Sequence, residues 1–246
     1  MQGPFKIVAL WCWYRGEGFH GYQRQGALRT VQGELLGAFS RAGVTRNPVV
    51  AGRTDKGVSA RMQVLSGRLE RDIEPQALAA ALNAQLPDDV GIHLARDAAT
   101  GFHAAWSSSW KEYRYLLSEP VDAGLLREAA ALIPGTRNFR VFHFKSSEEK
   151  PRTVRSVEVM SDGVTLRFVG EGFARHMVRM LVGGMTAVAT GAIPLEVFAD
   201  GLAAQRKFHC PTAPPEPLTL WEVGYPPGVD PFSPEDRAAP KPPSLS

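Results

Sequence analysis

The residues best suited to chemistry stand together at residues 51–58, which read Ala-Gly-Arg-Thr-Asp-Lys-Gly-Val; we call them the Asp55 loop. A single carboxylate, Asp55, lies between two cations and two glycines. Glycine lets the backbone turn sharply and approach a ligand closely. The fixed charges of Arg53 and Lys56 keep Asp55 ionised and attract phosphate. An ionised carboxylate in a cationic loop suits a nucleophile that acts on a polyanion. The alternative is a surface turn with ordinary charges.

The sequence around this loop predicts the elements that must position it. Apolar runs, continuous or alternating, indicate strands at residues 5–14, 62–69 and 90–94. Thr30 is suited to cap a helix whose apolar residues recur at helical spacing, and Pro75 opens a second helix that ends near residue 84. The first half of the chain therefore predicts the order strand, helix, strand, helix, strand.

The second half of the chain predicts hairpins and helices in turn. A strand spans residues 113–117, and two further strands flank the turn Ser161-Asp162-Gly163 as a β-hairpin. Further elements are expected as helices at residues 125–133, at residues 173–189 and after Pro194, and as a last strand at residues 218–225. Strands grouped as hairpins, with helices to one side, indicate an α+β fold with antiparallel sheets rather than a doubly wound parallel fold.

The same pattern divides the chain into three parts. We predict an N-terminal half at residues 1–105 with the Asp55 loop, a C-terminal half at residues 106–225, and a tail at residues 226–246. The tail holds seven prolines and few apolar residues, so we expect it to be poorly ordered.

Composition limits the classes of function. At 246 residues with 44% hydrophobic residues, the chain can bury a sizeable core. Two cysteines are too few for a disulfide framework or a cysteine-based zinc site, and no His, Cys or carboxylate spacing suggests another metal site. No apolar run reaches the length of a membrane span or resembles a signal peptide, so we expect a cytoplasmic protein. The net charge of +3 favours an anionic partner only weakly.

The Asp55 loop resembles the catalytic loop of the tRNA pseudouridine synthase A (TruA) family, usually written AGRTDxGV. Further segments are similar to family motifs in the same order, and together they cover the chain from about residue 5 to residue 225. These segments are residues 19–25 with 30–32 (FHGYQRQ, TVQ), 83–90 (NAQLPDDV), 102–105 with 111–115 (FHAA, KEYRY), 172–183 (GFARHMVRMLVG) and 218–225 (LTLWEVGY).

The resemblance implies a fold, a reaction and partners. The fold would be two α+β halves whose antiparallel sheets join into one larger sheet, with helices on the outside and an RNA-binding cleft between the halves. The reaction would isomerise uridine to pseudouridine at positions 38, 39 and 40 of the tRNA anticodon stem-loop. The enzyme would act on tRNA as a homodimer, without a metal or an organic cofactor, since the isomerisation needs no redox step or group donor.

The resemblance also implies roles for individual residues. Asp55 matches the catalytic nucleophile, Arg179 the arginine that pairs with it, and Tyr113 the tyrosine that stacks on the target uracil. Arg53 would orient Asp55 or grip the RNA backbone. Whether Asp55 attacks uracil C6, attacks ribose C1′ or removes a ribose proton stays open. Tyr115, two residues from Tyr113, is assigned to the core.

Basic residues outside the motifs are candidates for contacts with phosphate. They are Arg46, Arg137, Arg140, Lys145, Lys150, Arg152 and Arg155. Within the motif segment at residues 19–25, Arg24 and Gln25 are expected to bind substrate.

At three positions the chain departs from the family pattern: Ser59 replaces a common histidine, Trp106 lies in a region of arginine or phenylalanine, and Pro217 replaces a glycine.

Two other classes of function compete with this hypothesis. A non-catalytic RNA-binding protein could keep the fold, although it would have no chemical need for the carboxylate of Asp55. A glycoside hydrolase could use Asp55 as a nucleophile, but that chemistry normally needs a second carboxylate, and the matching motifs offer none.

Overall fold

The computed structural model describes residues 6–42, 47–69, 73–144, 150–203 and 209–238. The chain packs as two compact units, the first comprising Met1–Ser109 with Leu220–Ser246 and the second comprising Trp110–Thr219. The chain therefore enters the second unit once and returns to the first near its end. The sequence predicts the boundary between the two halves at residues 105 and 106. Its hydrophobic pattern does not show that the end of the chain returns to the first unit.

The elements follow the predicted order. In the described residues the strands are β1 (Lys6–Tyr14), β2 (Val49–Val50), β3 (Ser59–Leu69), β4 (Val90–Ala98), β5 (Trp110–Leu116), β6 (Gly135–Arg137), β7 (Arg152–Val159), β8 (Thr165–Gly170) and β9 (Leu218–Gly224). The helices there are α1 (Val31–Arg41), α2 (Pro75–Asn83), α3 (Ala123–Ala131), α4 (Met177–Ala189), α5 (Leu195–Leu202) and α6 (Pro234–Ala238). The elements that the sequence does not predict, β2, β6 and α6, have two to five residues each, too few for a period to be visible.

The sheet of the first unit has the strand order β4-β1-β3-β9, and β2 pairs with β3. The central strand β1 is antiparallel to both β3 and β4. Its middle residues are buried without alternation, because both of its faces are covered. Thr30 caps α1 as predicted, since its hydroxyl accepts the Gly33 N–H at 3.2 Å. The side chain of Asn83 fixes α2 to β4, because its amide exchanges hydrogen bonds of 2.7 and 2.8 Å with the backbone of Ile92.

In the second unit the strand order is β5-β8-β7-β6. β8 is antiparallel to β5 and β7, and β7 to β6. The predicted hairpin is confirmed: Asp162 accepts the N–H groups of Val164 and Thr165 at 3.0 and 2.8 Å, and Gly163 has a φ of +74°. A side chain with a Cβ is strained at such an angle, which explains the glycine.

Helix α4 begins at Met177, four residues later than the sequence predicts. His176, just before it, has a φ of +62°, and this left-handed conformation stops the helix from extending towards Phe173. The predicted apolar stripe of α4 is confirmed, because Met177, Leu181 and their neighbours on that face are buried.

The predicted α+β class is confirmed by a large, mostly antiparallel sheet with helices; the predicted cleft stays a prediction. Within the described ranges, no helix has both the length and the apolar character of a membrane span. In the predicted tail, α6 is described, and Arg237 pairs with Glu222 at 2.6 Å and with Asp230 at 2.7 Å. Residues 239–246 lie outside the described residues.

Two helical glycines provide a test of this packing. A Cβ at Gly183 in α4 would lie 2.1 Å from the carbonyl oxygen of Pro211, whereas a Cβ at Gly37 in α1 would meet only the end of the Arg41 side chain, at 3.1 Å. We expect Gly183→Ala to destabilise the protein by about 1–3 kcal/mol through overpacking. We expect Gly37→Ala to stabilise it by about 0.5–1 kcal/mol through helix propensity. Urea unfolding of both variants measures the change, and equal midpoints would contradict the packing of residue 211 on α4.

Candidate active site

Pairing of β2 with β3 fixes both ends of the Asp55 loop. The N–H of Ala51 donates to the carbonyl of Val64 at 2.8 Å, and the N–H of Val58 closes a turn on the carbonyl of Asp55 at 3.2 Å. Asp55 stands at the first position of this turn, and Gly57 at its third position has a φ of +83°, a conformation that glycine favours. Asp55 is half-buried, whereas Arg53 and Lys56 are exposed. The loop therefore presents one carboxylate between two accessible cations.

Buried side chains hold the loop from beneath. Gln63 on β3 donates its amide N–H to the carbonyl of Gly52 at 2.6 Å and to the hydroxyl of Tyr14 at 3.3 Å. The Tyr14 hydroxyl in turn shares a hydrogen bond of 2.9 Å with the hydroxyl of Thr54. Thr54 is buried, so its side chain turns inward and ties the residue before Asp55 to the core.

Residues 15–22, which we call the glycine segment, cover the loop with backbone. A Cβ at Gly16 would lie 2.4 Å from the carbonyl oxygen of Gly57, and one at Gly21 would lie 3.1 Å from the carbonyl oxygen of Thr54 and from the N–H of Lys56. The N–H of Tyr22 donates to the carbonyl of Thr54 at 3.1 Å. The two backbones approach so closely that only glycine fits at these positions.

Ser59, one of the departures from the family pattern, contributes to the same contact. Its hydroxyl accepts the N–H of Gly16 at 3.0 Å. Ser59 is itself buried, and it therefore ties the start of β3 to the glycine segment.

An arginine holds the glycine segment in place. Arg29 makes a two-pronged ion pair with Asp89 at 2.7 and 2.8 Å, donates to Glu34 at 2.9 Å, and stacks over the ring of Phe19 at 4.3 Å. The hydrogen bond from Arg29 lowers the pKa of Asp89. Such planar, bidentate pairing is specific to arginine, so a lysine at position 29 would not replace it.

The predicted substrate-binding residues Arg24 and Gln25 follow Gly21 within four residues, and both are exposed. The backbone N–H of Arg24 donates to the side chain of Gln32 at 3.0 Å, while the Gln25 amide donates to the carbonyl of His20 at 3.4 Å. Neighbouring Tyr22 is buried: burial raises the pKa of its hydroxyl well above the ordinary value, and the positive charge of Arg53 opposes that rise.

The second unit positions the predicted stacking residue. Tyr113 lies on β5 opposite Phe168 of β8, with 8% of its surface exposed. The ring of Phe173 meets the Tyr113 ring edge to face, with centroids 5.3 Å apart and planes at 85°. Tyr115, on the same face of β5, is also buried. Phe173 thus fixes the orientation of the Tyr113 ring.

Arg179 is half-buried on α4 in the same unit. Its Nε donates to the carbonyl of Ala213 at 2.8 Å, and the N–H of Ala213 returns a hydrogen bond of 3.1 Å to the carbonyl of Arg179. Burial raises the pKa of Tyr115, and the charge of Arg179 opposes this rise. Arg179 and both tyrosines thus belong to the second unit.

Three of the predicted phosphate-binding residues in the second unit, Arg137, Arg140 and Arg152, form what we call the β6–β7 cluster. Arg137 and Arg152 are direct partners across β6 and β7. Burial lowers the pKa of His143, and the charges of Arg152 and Arg140 lower it further, so these arginines act on the same histidine.

Other predicted phosphate-binding residues lie outside this cluster. Arg155 pairs with Glu171 at 3.2 Å. Arg46 and Lys145 lie outside the described residues.

The structure thus groups the predicted site residues by unit. Arg24, Gln25, Arg53 and Asp55 belong to the first unit, and Tyr113 and Arg179 belong to the second. The pairing of Arg179 with Asp55 stays a prediction. Among the described residues, no group of three or more His, Cys, Asp or Glu side chains is arranged to hold a metal ion.

Sequence reasoning missed the residues that hold the loop: Tyr14, Gln63 and Gly16. Each lies at least nine residues along the chain from its partner in the loop, and nothing in a strand pattern distinguishes Gln63 from other polar residues of β3. The only available signal was Gly21, which lies in the segment that resembles the family motif.

Comparisons with known proteins bear on this site. A family model described as tRNA pseudouridine synthase matches residues 129–226. A protein of Methanothrix thermoacetophila named tRNA pseudouridine synthase A is 39% identical over 222 residues, which cover 89% of this chain and 83% of that protein. A protein of the same name from Geobacillus kaustophilus is 36% identical over 236 residues, covering 86% of this chain and 92% of that protein.

Among solved structures, a chain of the archaeal box H/ACA sRNP Nop10–Cbf5 complex is 15% identical, with a TM-score of 0.37 over 74% of this chain and 43% of that chain. A likeness at that level carries no argument.

Two glycines of positive φ test whether the glycine segment fixes the Asp55 loop. Gly21 has a φ of +87° and faces the loop backbone, whereas Gly26 has a φ of +51° with no other atom within 4 Å of its Cβ position. Substitution of either glycine by alanine should lower the free energy of unfolding by about 1–2 kcal/mol, because a residue with a Cβ is strained in a left-handed backbone conformation. Only Gly21→Ala should also accelerate amide hydrogen exchange at residues 54–58, because only that Cβ displaces the loop. Equal exchange in the two variants would contradict the contact.

Proposed function

Because the chain belongs to the tRNA pseudouridine synthase A family, we propose that it isomerises uridine to pseudouridine in the anticodon stem-loop of tRNA, with Asp55 as nucleophile. The target positions are those that the sequence resemblance implies: 38, 39 and 40. By family, the protein is an isomerase that modifies tRNA. We further propose that it acts as a homodimer.

The chemistry sets what the site must supply. The bond between ribose C1′ and uracil N1 breaks, the base turns, and a bond forms between C1′ and C5. The hydrogen on C5 leaves as a proton and N1 gains one, so nothing is added to or lost from the nucleotide. The enzyme therefore needs a nucleophile or base, a surface that retains the detached uracil, and cations that position the phosphates.

The Asp55 loop is the observation that carries the proposal. Its carboxylate follows a threonine that is hydrogen-bonded into the core through Tyr14 and Gln63, and the glycine segment covers its backbone. A carboxylate fixed in this way needs little reorganisation at the moment of reaction. The exposed cations Arg53 and Lys56 favour the approach of a phosphate-rich substrate.

Tyr113 is proposed to retain the detached base. Its ring is oriented by Phe173 at 5.3 Å, which reduces the entropy lost when a base stacks on it. Stacking of one base on an aromatic side chain contributes about 1–3 kcal/mol.

Arg179 is proposed to pair with Asp55. Its Nε is occupied by the carbonyl of Ala213, and the planar guanidinium has further N–H groups with which to bind a carboxylate.

Phosphate contacts are proposed for Arg24 and for the β6–β7 cluster. Such contacts fix the register of the RNA and supply most of the affinity without reading sequence. They therefore leave the choice of uridine to the loop and the tyrosine.

A direct test uses the purified protein and unmodified tRNA transcripts. Carbodiimide modification maps each pseudouridine formed, and sedimentation of the same preparation reports its oligomeric state. Pseudouridine at positions 38 to 40 would support the proposal. RNA binding without any pseudouridine would instead support a non-catalytic RNA-binding protein.

Asp55→Asn should reduce turnover by more than about 10⁴-fold, as removal of a nucleophile typically does, because the amide keeps the shape but not the charge. Affinity for tRNA should stay within about twofold, since phosphate contacts dominate binding. Release of tritium from tRNA made with 5-tritiated uridine measures the rate. Asp97→Asn, at an exposed position of β4, is the matched control and should keep the parental rate. Substantial tritium release by Asp55→Asn would exclude Asp55 as the nucleophile.

Tyr113→Phe should bind tRNA normally because the stacking ring remains, whereas Tyr113→Ala should weaken binding by about 5- to 150-fold. A loss of turnover in Tyr113→Phe that exceeds its loss of affinity would assign the hydroxyl a role in moving the C5 proton. Tyr115→Phe, which removes the neighbouring hydroxyl on the same face, controls for general effects on β5. Parental rates and affinities in both Tyr113 variants would place Tyr113 in the core alone.

A further inference from the structure

Trp106 stands out in the first unit because its side chain lies in solvent. It is 86% exposed, the highest value among the exposed large apolar side chains of the described residues. Its neighbours at residues 104–109 are alanines and serines. A tryptophan carries the largest apolar surface of any side chain, so its exposure without apolar neighbours calls for a physical explanation.

One face of the Trp106 ring is already covered. The imidazole of His103 stacks on it, with ring centroids 4.0 Å apart and planes at 8°. Nδ1 of His103 also accepts the backbone N–H of Trp106 at 3.1 Å. The acceptor role of Nδ1 places the proton of a neutral imidazole on Nε2 and sets the orientation of the ring. The other face of the indole is therefore the exposed one.

The backbone beneath this pair is rigid. Ala104 is fully buried; its N–H donates to the hydroxyl of Ser66 at 2.9 Å, and its carbonyl accepts the hydroxyl of Tyr225 at 2.9 Å. The backbone of His103 exchanges hydrogen bonds of 2.9 and 3.1 Å with Ser107. An aromatic surface held in this way loses little conformational entropy when a ligand binds.

Residues 103–107, which we call the Trp106 loop, are anchored through Ser66 on β3. The same strand holds the Asp55 loop. Ser66 belongs to β3, and Val64, which binds the N–H of Ala51 at the entry to the Asp55 loop, stands two residues before it on the same strand. At about 3.3 Å per residue, the two anchors are about 7 Å apart along β3. Both lie within the first unit.

We propose that the stacked pair of Trp106 and His103 is a binding site for one unpaired nucleobase of the RNA, separate from the target uridine. The proposal rests on the proposed function, which supplies the RNA. A nucleobase requires only one flat π face. A protein partner would require roughly 800 Å² of complementary surface, and a single ring among alanines and serines does not offer a contiguous apolar patch of that kind.

The experiment measures binding of an RNA hairpin with the anticodon stem-loop sequence, by anisotropy at several salt concentrations. Trp106→Ala should weaken binding by about 5- to 150-fold, and Trp106→Phe should recover most of the loss. The dependence of affinity on salt should keep its slope, because no phosphate contact is removed. Leu116→Ala, which truncates a side chain that is 55% exposed, is the matched control and should bind as the parent does.

Changes in the RNA complete a double-mutant cycle with the changes at Trp106. We make one unpaired nucleotide of the hairpin abasic at a time. For one of these hairpins, the parent protein should bind more weakly than it binds the intact hairpin. Trp106→Ala should bind that abasic hairpin and the intact hairpin equally. Unchanged affinity in Trp106→Ala would overturn the proposal. So would a loss with a reduced salt slope, which indicates a phosphate contact, or a changed sedimentation coefficient, which indicates a contact between subunits.

Tritium release by the parent on whole tRNA is measured in parallel. An inactive parent would refute the proposed function, whereas an active parent with unchanged binding in Trp106→Ala would refute only the stacking site. Because hairpin binding is measured whatever the turnover, the two failures are distinguishable.

Discussion

The arrangement of the first unit depends on one constraint, the close approach of two stretches of backbone at Thr54. The carbonyl of Thr54 accepts the N–H of Tyr22 at 3.1 Å, while its hydroxyl meets that of Tyr14 at 2.9 Å. Neither contact uses the side chain of Asp55. The backbone that carries the carboxylate is thus held by its neighbour Thr54. Preorganisation of this kind lowers a barrier because the cost of ordering is met during folding.

The second unit uses a similar device for Arg179. Gly183, one helical turn further along α4, has no Cβ, and the carbonyl of Pro211 occupies that space. The same approach brings Ala213 against α4, where its carbonyl accepts the Nε–H of Arg179 and its N–H returns a bond to the Arg179 carbonyl. The direction of the guanidinium therefore depends on a glycine four residues further along the helix.

The sequence predicted the order and type of the long elements because their periods are local properties. Thr30 marked the start of α1 and Pro75 that of α2, as side-chain capping and proline geometry require. The start of α4 was predicted wrongly, since the left-handed backbone of His176 has no signature in an apolar pattern. At the candidate site, the motif residues were visible in the sequence. Their supports were not, because the hydrogen bonds of Gln63 join segments whose proximity only the folded chain defines.

The β6–β7 cluster links the stability of the second unit to the phosphate binding that we propose for it. Arg137 and Arg152 stand directly opposite each other on β6 and β7, and like charges in that register destabilise a sheet. Burial lowers the pKa of His143, and the charges of Arg152 and Arg140 lower it further, so protonation of this histidine is also opposed. A phosphate bound there would relieve both penalties, and a ligand that binds only the folded state stabilises it. Under this proposal, the repulsion between the two arginines in the unbound unit would be recovered as binding energy when phosphate binds.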